Sequence, residues 1–296
     1  MNQKQFEAKV KQTIQKYNLL KKSDKVIVAV SGGKDSMTVL YLLKKLGYNV
    51  SALHINLEMG KWSEAHLQNI KNFCKKLEVP LHVYSVRKEL GRSMCSIKSI
   101  VKSKAKLQDC TICGIIRRWL INRKARQLGA DVVATGHNLD DASQTVLMNY
   151  FKGNLFIGLN EGPKVGIIED KKFVQRVKPL YFIPEKEVEK YSKAMKFPVI
   201  YERCPCVVGA YRHRIRGMLD EIEKKNPNTL GNSSNFRRAK KQRLFSVKEN
   251  IVQSFLKLLP KLRKKVLAGK PIYCKTCGEP GRNEICRACS IMRYIK

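Results

Sequence analysis

Two spacings of apolar residues alternate along this chain. Val26, Ile27, Val28, Ala29 and Val30 make a continuous apolar, mostly β-branched run within 25–30, which predicts a strand buried on both faces. After Ser31-Gly32-Gly33 the spacing becomes helical, with Met37, Val39, Leu40, Leu42 and Leu43 recurring over 36–46 until Gly47. The alternation continues with a strand over 49–56 and a helix over 63–77 that carries Ile70, Phe73 and Leu77 on one side. Pro80 then interrupts, and further strands are predicted over 81–86, 131–135 and 173–180, with a helix over 142–151. Strands alternating with helices predict βαβ units, hence an α/β fold with a doubly wound parallel sheet. Past Pro184 the pattern turns to basic helices over 185–196, 210–225 and 247–259, the last stopped by Pro260. Residues 231–235 (G-N-S-S-N) read as a loop, and the tail from Pro271 is rich in Cys and Gly. The expected organisation is an N-terminal helix in 1–23, an α/β domain in 24–184, a basic helical region in 185–270 and a metal-folded tail in 271–296.

Composition adds a partner. Of 296 residues, 59 are Lys or Arg and 24 are Asp or Glu, a net charge of +35 that favours a polyanion such as nucleic acid. Residues 203–296 hold 23 basic and 6 acidic residues, so about half of the surplus sits in the last third of the chain. No apolar run approaches the roughly 20 residues of a membrane span. Residues 1–20 are amphipathic and lack the apolar centre of a signal peptide. The chain is therefore expected in the cytoplasm, away from membranes. In that compartment its ten cysteines point to metal rather than disulfides.

Chemistry concentrates at the predicted strand ends. The hexapeptide Ser31-Gly32-Gly33-Lys34-Asp35-Ser36, following Ala29 and Val30, joins a strand to a helix N-terminus. Free backbone N–H groups and the helix dipole there suit a phosphate, and the glycines let the backbone approach it. The stretch is neither a Walker A loop nor a dinucleotide fingerprint. Gly136-His137-Asn138-Leu139-Asp140-Asp141 follows another strand, where Asn138 or Asp140 caps the next helix and Asp141 suits Mg²⁺. Ile55, at the end of the second strand, is as compatible with a buried strand end as with a ligand contact. Cys110-x-x-Cys113-Gly precedes a helix bearing Arg117 and Arg118, and the pair alone fits a redox couple, half a zinc site or Fe–S ligands. Cys274-x-x-Cys277 and Cys286-x-x-Cys289 fill all four positions of a structural Zn²⁺ site in a compact ribbon, with Lys275, Arg282, Arg287 and Arg293 around it for RNA. Cys74 and Cys95 read as packing or surface thiols. Tyr211, Arg212, His213, Arg214 and Arg216 mix aromatic and basic side chains as an RNA contact would.

The S-G-G-K-D-S hexapeptide closely resembles the signature of the PP-loop ATP pyrophosphatases, and G-H-N-x-D-D resembles the second motif of those acting on tRNA. C-x-x-C-G before a basic helix, with a distant Cys before Pro, resembles the tRNA 2-thiolation enzymes of the TtuA and TtcA type. The resemblance spans about residues 25–290 and implies a PP-loop, HUP-like fold. It implies ATP held by Ala29, Ser31, Gly32, Gly33, Lys34, Asp35 and Ser36, with Ile55 and Gly136 by the nucleotide and Mg²⁺ at Asp141. It further implies a 4Fe–4S cluster on Cys110, Cys113 and Cys204, whose remaining iron takes up hydrosulfide. On this reading a tRNA base is adenylated at its C2 oxygen and sulfur displaces AMP, giving 2-thiouridine. The sulfur comes from sulfide or a thiocarboxylated ubiquitin-like carrier protein, and the enzyme is a homodimer. Cys206 departs from the pattern and offers a fourth thiol for a closed site. Arg117 stands where some relatives have a catalytic lysine; its fixed charge suits positioning of phosphate or substrate rather than proton transfer. The alternatives are 2-thiocytidine synthesis, a lysidine-synthetase-like adenylating enzyme, a persulfide-based thiolase without a cluster, and a zinc-ribbon RNA-binding module without activity.

Overall fold

The computed structural model describes residues 1–165, 170–202, 204, 206, 211–226, 245–265, 271–281 and 283–295. The expected loop at 231–235 and Arg282 lie outside the described residues. The elements run α1 (Gln3–Lys16), β1 (Lys25–Ala29), α2 (Lys34–Lys45), β2 (Asn49–Asn56), α3 (Lys61–Lys76), β3 (Leu81–Ser85), α4 (Val86–Leu90), α5 (Met94–Ala105), α6 (Asp109–Gln127) and β4 (Val132–Ala134). There follow α7 (Leu139–Phe151), α8 (Leu155–Gly158), β5 (Lys164–Val165), β6 (Gln175–Val177), α9 (Glu185–Ala194), α10 (Tyr211–Lys225), α11 (Val247–Lys265), β7 (Ile272–Tyr273), β8 (Pro280–Gly281) and α12 (Arg287–Met292).

Six strands form one sheet in the order β3-β2-β1-β4-β6-β5. All neighbours are parallel except β5, which runs antiparallel to β6 at the edge. The chain moves outward from β1 through β2 to β3, then returns to the other side of β1 with β4. The strand order thus reverses between β1 and β4, the place where ligands bind in open α/β sheets.

The two-residue period of β1 divides the core. Val26 and Val28 pack with α1, α2, α3 and α9 through Phe6, Leu40, Phe73 and Tyr191, while Ile27 faces the opposite layer of Ile97, Ile112 and Leu120 from α5 and α6. Ala288 and Ile291 of α12 join that second layer, which fastens the cysteine-rich tail to the back of α6. Helices α10 and α11 pack on α7, with Val252 against Leu139 and Tyr181, and Phe255 and Leu259 against Val146.

Some elements differ from the sequence expectation. The strand expected over 173–180 spans only Gln175–Val177. Helix α11 continues through Pro260, where a stop was expected. Proline removes one helical N–H there, but the last turn is held from outside: Arg263 donates to the carbonyls of Leu159 at 2.9 Å and Glu161 at 3.0 Å. Cys110 and Cys113 lie within the first two turns of α6 rather than before it. Helix α5, ahead of them, had no counterpart in the sequence reading.

Candidate active site

The loop after β1 holds itself open for an anion. Ser36 Oγ accepts from Ser31 N at 3.1 Å and donates to Gly33 O at 3.1 Å, which ties the loop to the first turn of α2. Gly33 is the N-cap of α2 and gives it no side-chain cap, so the first N–H groups of the helix point outward. Gly32 has φ +84°, and a Cβ there would sit 2.5 Å from His66 Nδ1. Glycine is thus required at Gly32 both by backbone conformation and by space.

Gly136, at the end of β4, is pressed onto this loop. A Cβ on it would lie 2.7 Å from Ser36 N and 2.8 Å from the Asp35 carbonyl carbon. The second motif therefore serves first to seat the loop. Asn138 caps α7 in a reciprocal box with Asp141, and its Nδ2 donates to Asp35 Oδ1 at 3.0 Å. Burial pushes the Asp35 carboxyl above its ordinary pKa; Lys34 and Asn138 oppose that, and the nearby Asp141 carboxylate adds to it. Two acidic groups thus crowd one another beside the loop, an arrangement that suits a hard cation with phosphate oxygens. Asp140 turns away from the site. Its carboxylate accepts from Lys248 Nζ at 2.6 Å and Glu185 N at 2.7 Å, so it braces α7 against α9 and α11.

Lys34 pairs with Asp35 at 3.1 Å and with Glu185 at 2.8 Å, and Arg216 also pairs with Glu185. Arg212 donates to Gln144 Oε1 at 3.2 Å and Thr145 Oγ1 at 3.0 Å. Two of the arginines read as RNA contacts are therefore engaged within the protein.

Ala29, Ser31, Ile55, Trp62, His66 and Arg117 line one pocket beside the loop. Trp62 Nε1 is buried in its wall with no hydrogen-bond partner among the described residues. Arg117 reaches this pocket from α6, one turn beyond Cys113. Arg118, the next residue, shares its neighbourhood with Arg176; burial holds both guanidinium pKa values below their ordinary range, and at Arg118 repulsion from Arg176 and Arg117 adds to it. Such a concentration of positive charge favours phosphate-bearing ligands.

The segment between α9 and α10 brings two further thiols to the start of α6. Cys206 O lies 4.0 Å from Cys110 Sγ, and Cys206 N–H donates to Cys204 Sγ. Cys113 and Cys204 are close enough to influence each other electrostatically, and burial raises the pKa of both Cys110 and Cys204. Lys98 of α5 is nearby: burial works against its charge, but the Cys206, Cys113 and Cys204 sulfurs outweigh that and hold its pKa above the ordinary value. Backbone N–H donation to a cysteine sulfur is typical support for a metal-bound thiolate. Among the described residues, only Cys274, Cys277, Cys286 and Cys289 bring three or more ligand atoms all within 4.8 Å of one another. Cys110, Cys113 and Cys204 do not meet that limit; as a set of three thiols they offer the soft ligands that an iron–sulfur cluster takes.

The tail is built for that single ion. Cys277 Sγ and Cys286 Sγ stand 3.7 Å apart, close to the roughly 3.8 Å edge of a tetrahedron with Zn–S of 2.3 Å. Cys286 N donates to Cys274 Sγ at 3.3 Å, and Cys289 N to Cys286 Sγ at 3.4 Å. Glu279, pairing with Arg126 and accepting from Asn122 at 3.1 Å, locks the β7–β8 hairpin onto the far end of α6. Cys74 is buried, with its thiol pKa pushed up to about 11 by that burial, and Cys95 is exposed. Neither joins a sulfur cluster among the described residues.

Sequence reasoning missed Trp62, His66, Lys98 and Glu185. Only Lys98 left a usable signal: it falls on the apolar side of its helix, in register with Met94 and Val101.

Comparison with known proteins agrees with this geometry. Residues 2–219 match the sequence profile of the PP-loop domain. The tRNA-5-methyluridine(54) 2-sulfurtransferase of Pyrococcus horikoshii is 37% identical over 286 residues, covering 96% of this chain and 83% of that protein. Cytoplasmic tRNA 2-thiolation protein 1 of Drosophila ananassae is 30% identical, covering 98% of this chain and 79% of its own. Among solved structures, the U34-tRNA thiolase NcsA of Methanococcus maripaludis with its [4Fe-4S] cluster superposes with a TM-score of 0.76 at 26% identity, over 98% of this chain and 87% of that one. No described helix is long and apolar enough to cross a membrane.

Proposed function

This chain belongs to the PP-loop domain family, and we propose that within it the chain is an ATP-dependent tRNA sulfurtransferase that replaces the C2 oxygen of a uridine with sulfur. The observation that carries the reading is the path of α6. It begins with Cys110 and Cys113 and, one turn later, sends Arg117 into the pocket lined by Ser31 and Ile55. Sulfur chemistry and nucleotide chemistry thereby share one helix.

ATP binds with its phosphates on the outward N–H groups of the Ser31–Ser36 loop and its adenine near Ile55 and Trp62. Asp35 and Asp141 would hold Mg²⁺, which would supply charge to balance the phosphates. A uridine splayed out of the tRNA presents its C2 oxygen to the α-phosphorus; an O–P bond forms and pyrophosphate leaves. Loop N–H groups and Lys34 stabilise the charge that develops on phosphorus, and Arg117 orients the phosphate or the base. Hydrosulfide, supplied as such or released when water hydrolyses the C–S bond of a carrier thiocarboxylate, then attacks C2; the C–S bond forms, the C2–O bond breaks, AMP leaves with the former oxygen and the sulfur proton passes to solvent. Cys110, Cys113 and Cys204 would hold a 4Fe–4S cluster, which when bound supplies an iron position without a protein ligand for that sulfur. Cys274, Cys277, Cys286 and Cys289 would hold Zn²⁺ and so fold the ribbon, and Lys275, Arg287 and Arg293 would serve as tRNA contacts together with the basic helices of 185–270.

The test is tRNA-dependent release of pyrophosphate from ATP, measured with the iron and acid-labile sulfide content of anaerobically purified protein. The reading expects both. Pyrophosphate release from a protein that carries zinc alone would favour a lysidine-synthetase-like enzyme instead.

A further inference from the structure

The proposed reaction needs the charge of Lys34 at the phosphorus, yet a lysine ammonium ends a flexible four-carbon stem and does not fix its own position. Two carboxylates meet it. Asp35 stands 3.1 Å away, but it is the next residue in the chain and also accepts from Asn138 Nδ2 at 3.0 Å. Glu185 stands 2.8 Å away and comes from a different element, the first turn of α9. The pair is largely shielded from water, with side-chain exposures of 14% for Lys34 and 24% for Glu185. Salt screens such a pair less than one on the open surface.

Glu185 is itself held from two directions. Its backbone N–H donates to Asp140 Oδ2 at 2.7 Å, and Asp140 in turn accepts from Lys248 at 2.6 Å. Its carboxylate gives Oε1 to Lys34 and Oε2 to Arg216 of α10. A chain of charges, Arg216–Glu185–Lys34, therefore runs from the basic helical region through the start of α9 to the phosphate loop.

We propose that Glu185 is a positioning residue for the adenylation step: its carboxylate fixes the Lys34 ammonium where charge develops on phosphorus, and Arg216 fixes Glu185. The inference rests on the reading of Ser31–Ser36 as the ATP loop of an adenylating enzyme. Charge that grows as the O–P bond forms is stabilised best by a donor already in place, with no reorganisation left to undergo. Without Glu185, Lys34 still reaches the phosphates of bound ATP but is no longer set for the reacting phosphorus. The loss therefore falls on kcat rather than on KM.

The test measures kcat and KM for ATP in tRNA-dependent pyrophosphate release. Full-length wild type is compared with Glu185→Gln, Arg216→Met, Lys34→Met and the double variant Lys34→Met/Glu185→Gln, and urea unfolding of each separates loss of fold from loss of function. Glu185→Gln is expected to lower kcat about tenfold with KM for ATP within about twofold of wild type. Arg216→Met leaves Glu185 in place, so it keeps the test open even where Glu185→Gln does not fold; it is expected to lower kcat about threefold by the same route. In the double variant, Glu185→Gln should cost nothing beyond Lys34→Met, because it acts through Lys34. An unchanged kcat in folded Glu185→Gln or Arg216→Met, or a loss confined to KM, would overturn the proposal. So would a full further loss from Glu185→Gln in the Lys34→Met background. Wild-type protein that releases no pyrophosphate with tRNA present would overturn the adenylation reading itself, an outcome distinct from failure of the Glu185 role alone.

Discussion

At the scale of single residues, the account depends on atoms with little room to move. Gly136→Ala would push a methyl group to 2.7 Å from Ser36 N, so the loop must shift or the strand end must give. The variant is expected to lose about 1–3 kcal/mol in urea denaturation, and its pyrophosphate release is expected to fall further than its stability explains. His54 gives a pH signature. Burial lowers its pKa to about 4, against the pull of Val30 O at 2.9 Å from Nδ1, and Arg117 lowers it further. The unfolded chain takes up that proton near pH 6.5, as an unperturbed histidine does, while the folded chain resists until about pH 4. The contribution of His54 is thus complete above about pH 6.5 and is lost as pH falls toward 4, roughly 3 kcal/mol in all. Urea midpoints of wild type and His54→Gln across that window measure it: the variant should show the flatter dependence, and parallel curves would contradict the assignment. The four tail cysteines and the close-fitting glycines were legible in the sequence because their geometry demands residue identity at set spacing. Trp62 and His66 were not. Their significance comes from what burial places around them, and no local pattern encodes that.

Among the elements, α6 and α7 do the positioning, and they differ in how openly the sequence announces them. Helix α7 opens on an Asn138 cap that is plain in the sequence, yet the role of Asp140 appears only once α11 returns from more than a hundred positions away to place Lys248 against it. Lys248 also pairs with Asp220 at 2.6 Å and Glu223 at 3.1 Å. Lys248→Met would strand the Asp140 carboxylate in a buried setting and is expected to cost about 3–5 kcal/mol, read from thermal or urea unfolding. A loss below about 1 kcal/mol, the value of an exposed pair, would contradict this bracing role. Helix α6 joins sulfur at its start to the ribbon at its end. The ribbon has only two-residue strands of its own, so stripping zinc with a chelator is expected to unprotect the Lys275 and Gly278 amides, which bond to Glu284 O at 2.8 Å and Cys274 O at 2.8 Å. Amides of β1 should keep their protection in the same hydrogen-exchange experiment, and equal loss in both would contradict a ribbon that folds on its own metal. The passage of α11 through Pro260 was hidden from the sequence because Arg263, not helix propensity, holds the last turn.

For the whole molecule, the alternation of strands and helices foretold a parallel sheet, and the sheet order places its reversal between β1 and β4, where both nucleotide motifs end. The antiparallel edge strand β5, of two residues, is too short to leave a period in the sequence. The charge of +35 suits tRNA, and on the proposed reading it is α6, with Cys110 and Cys113 near its start and Arg117 at the pocket beside the loop, that specifies which chemistry the RNA would undergo. Nucleoside mass analysis of tRNA, after anaerobic incubation of the iron-loaded protein with ATP and sulfide, tests that meeting most directly. The expected product is a uridine carrying sulfur at C2, formed with one AMP and one pyrophosphate, and absent when ATP is withheld or Cys113 is replaced by Ala. Sulfur incorporation that proceeds without ATP, or that survives in Cys113→Ala, would contradict the account.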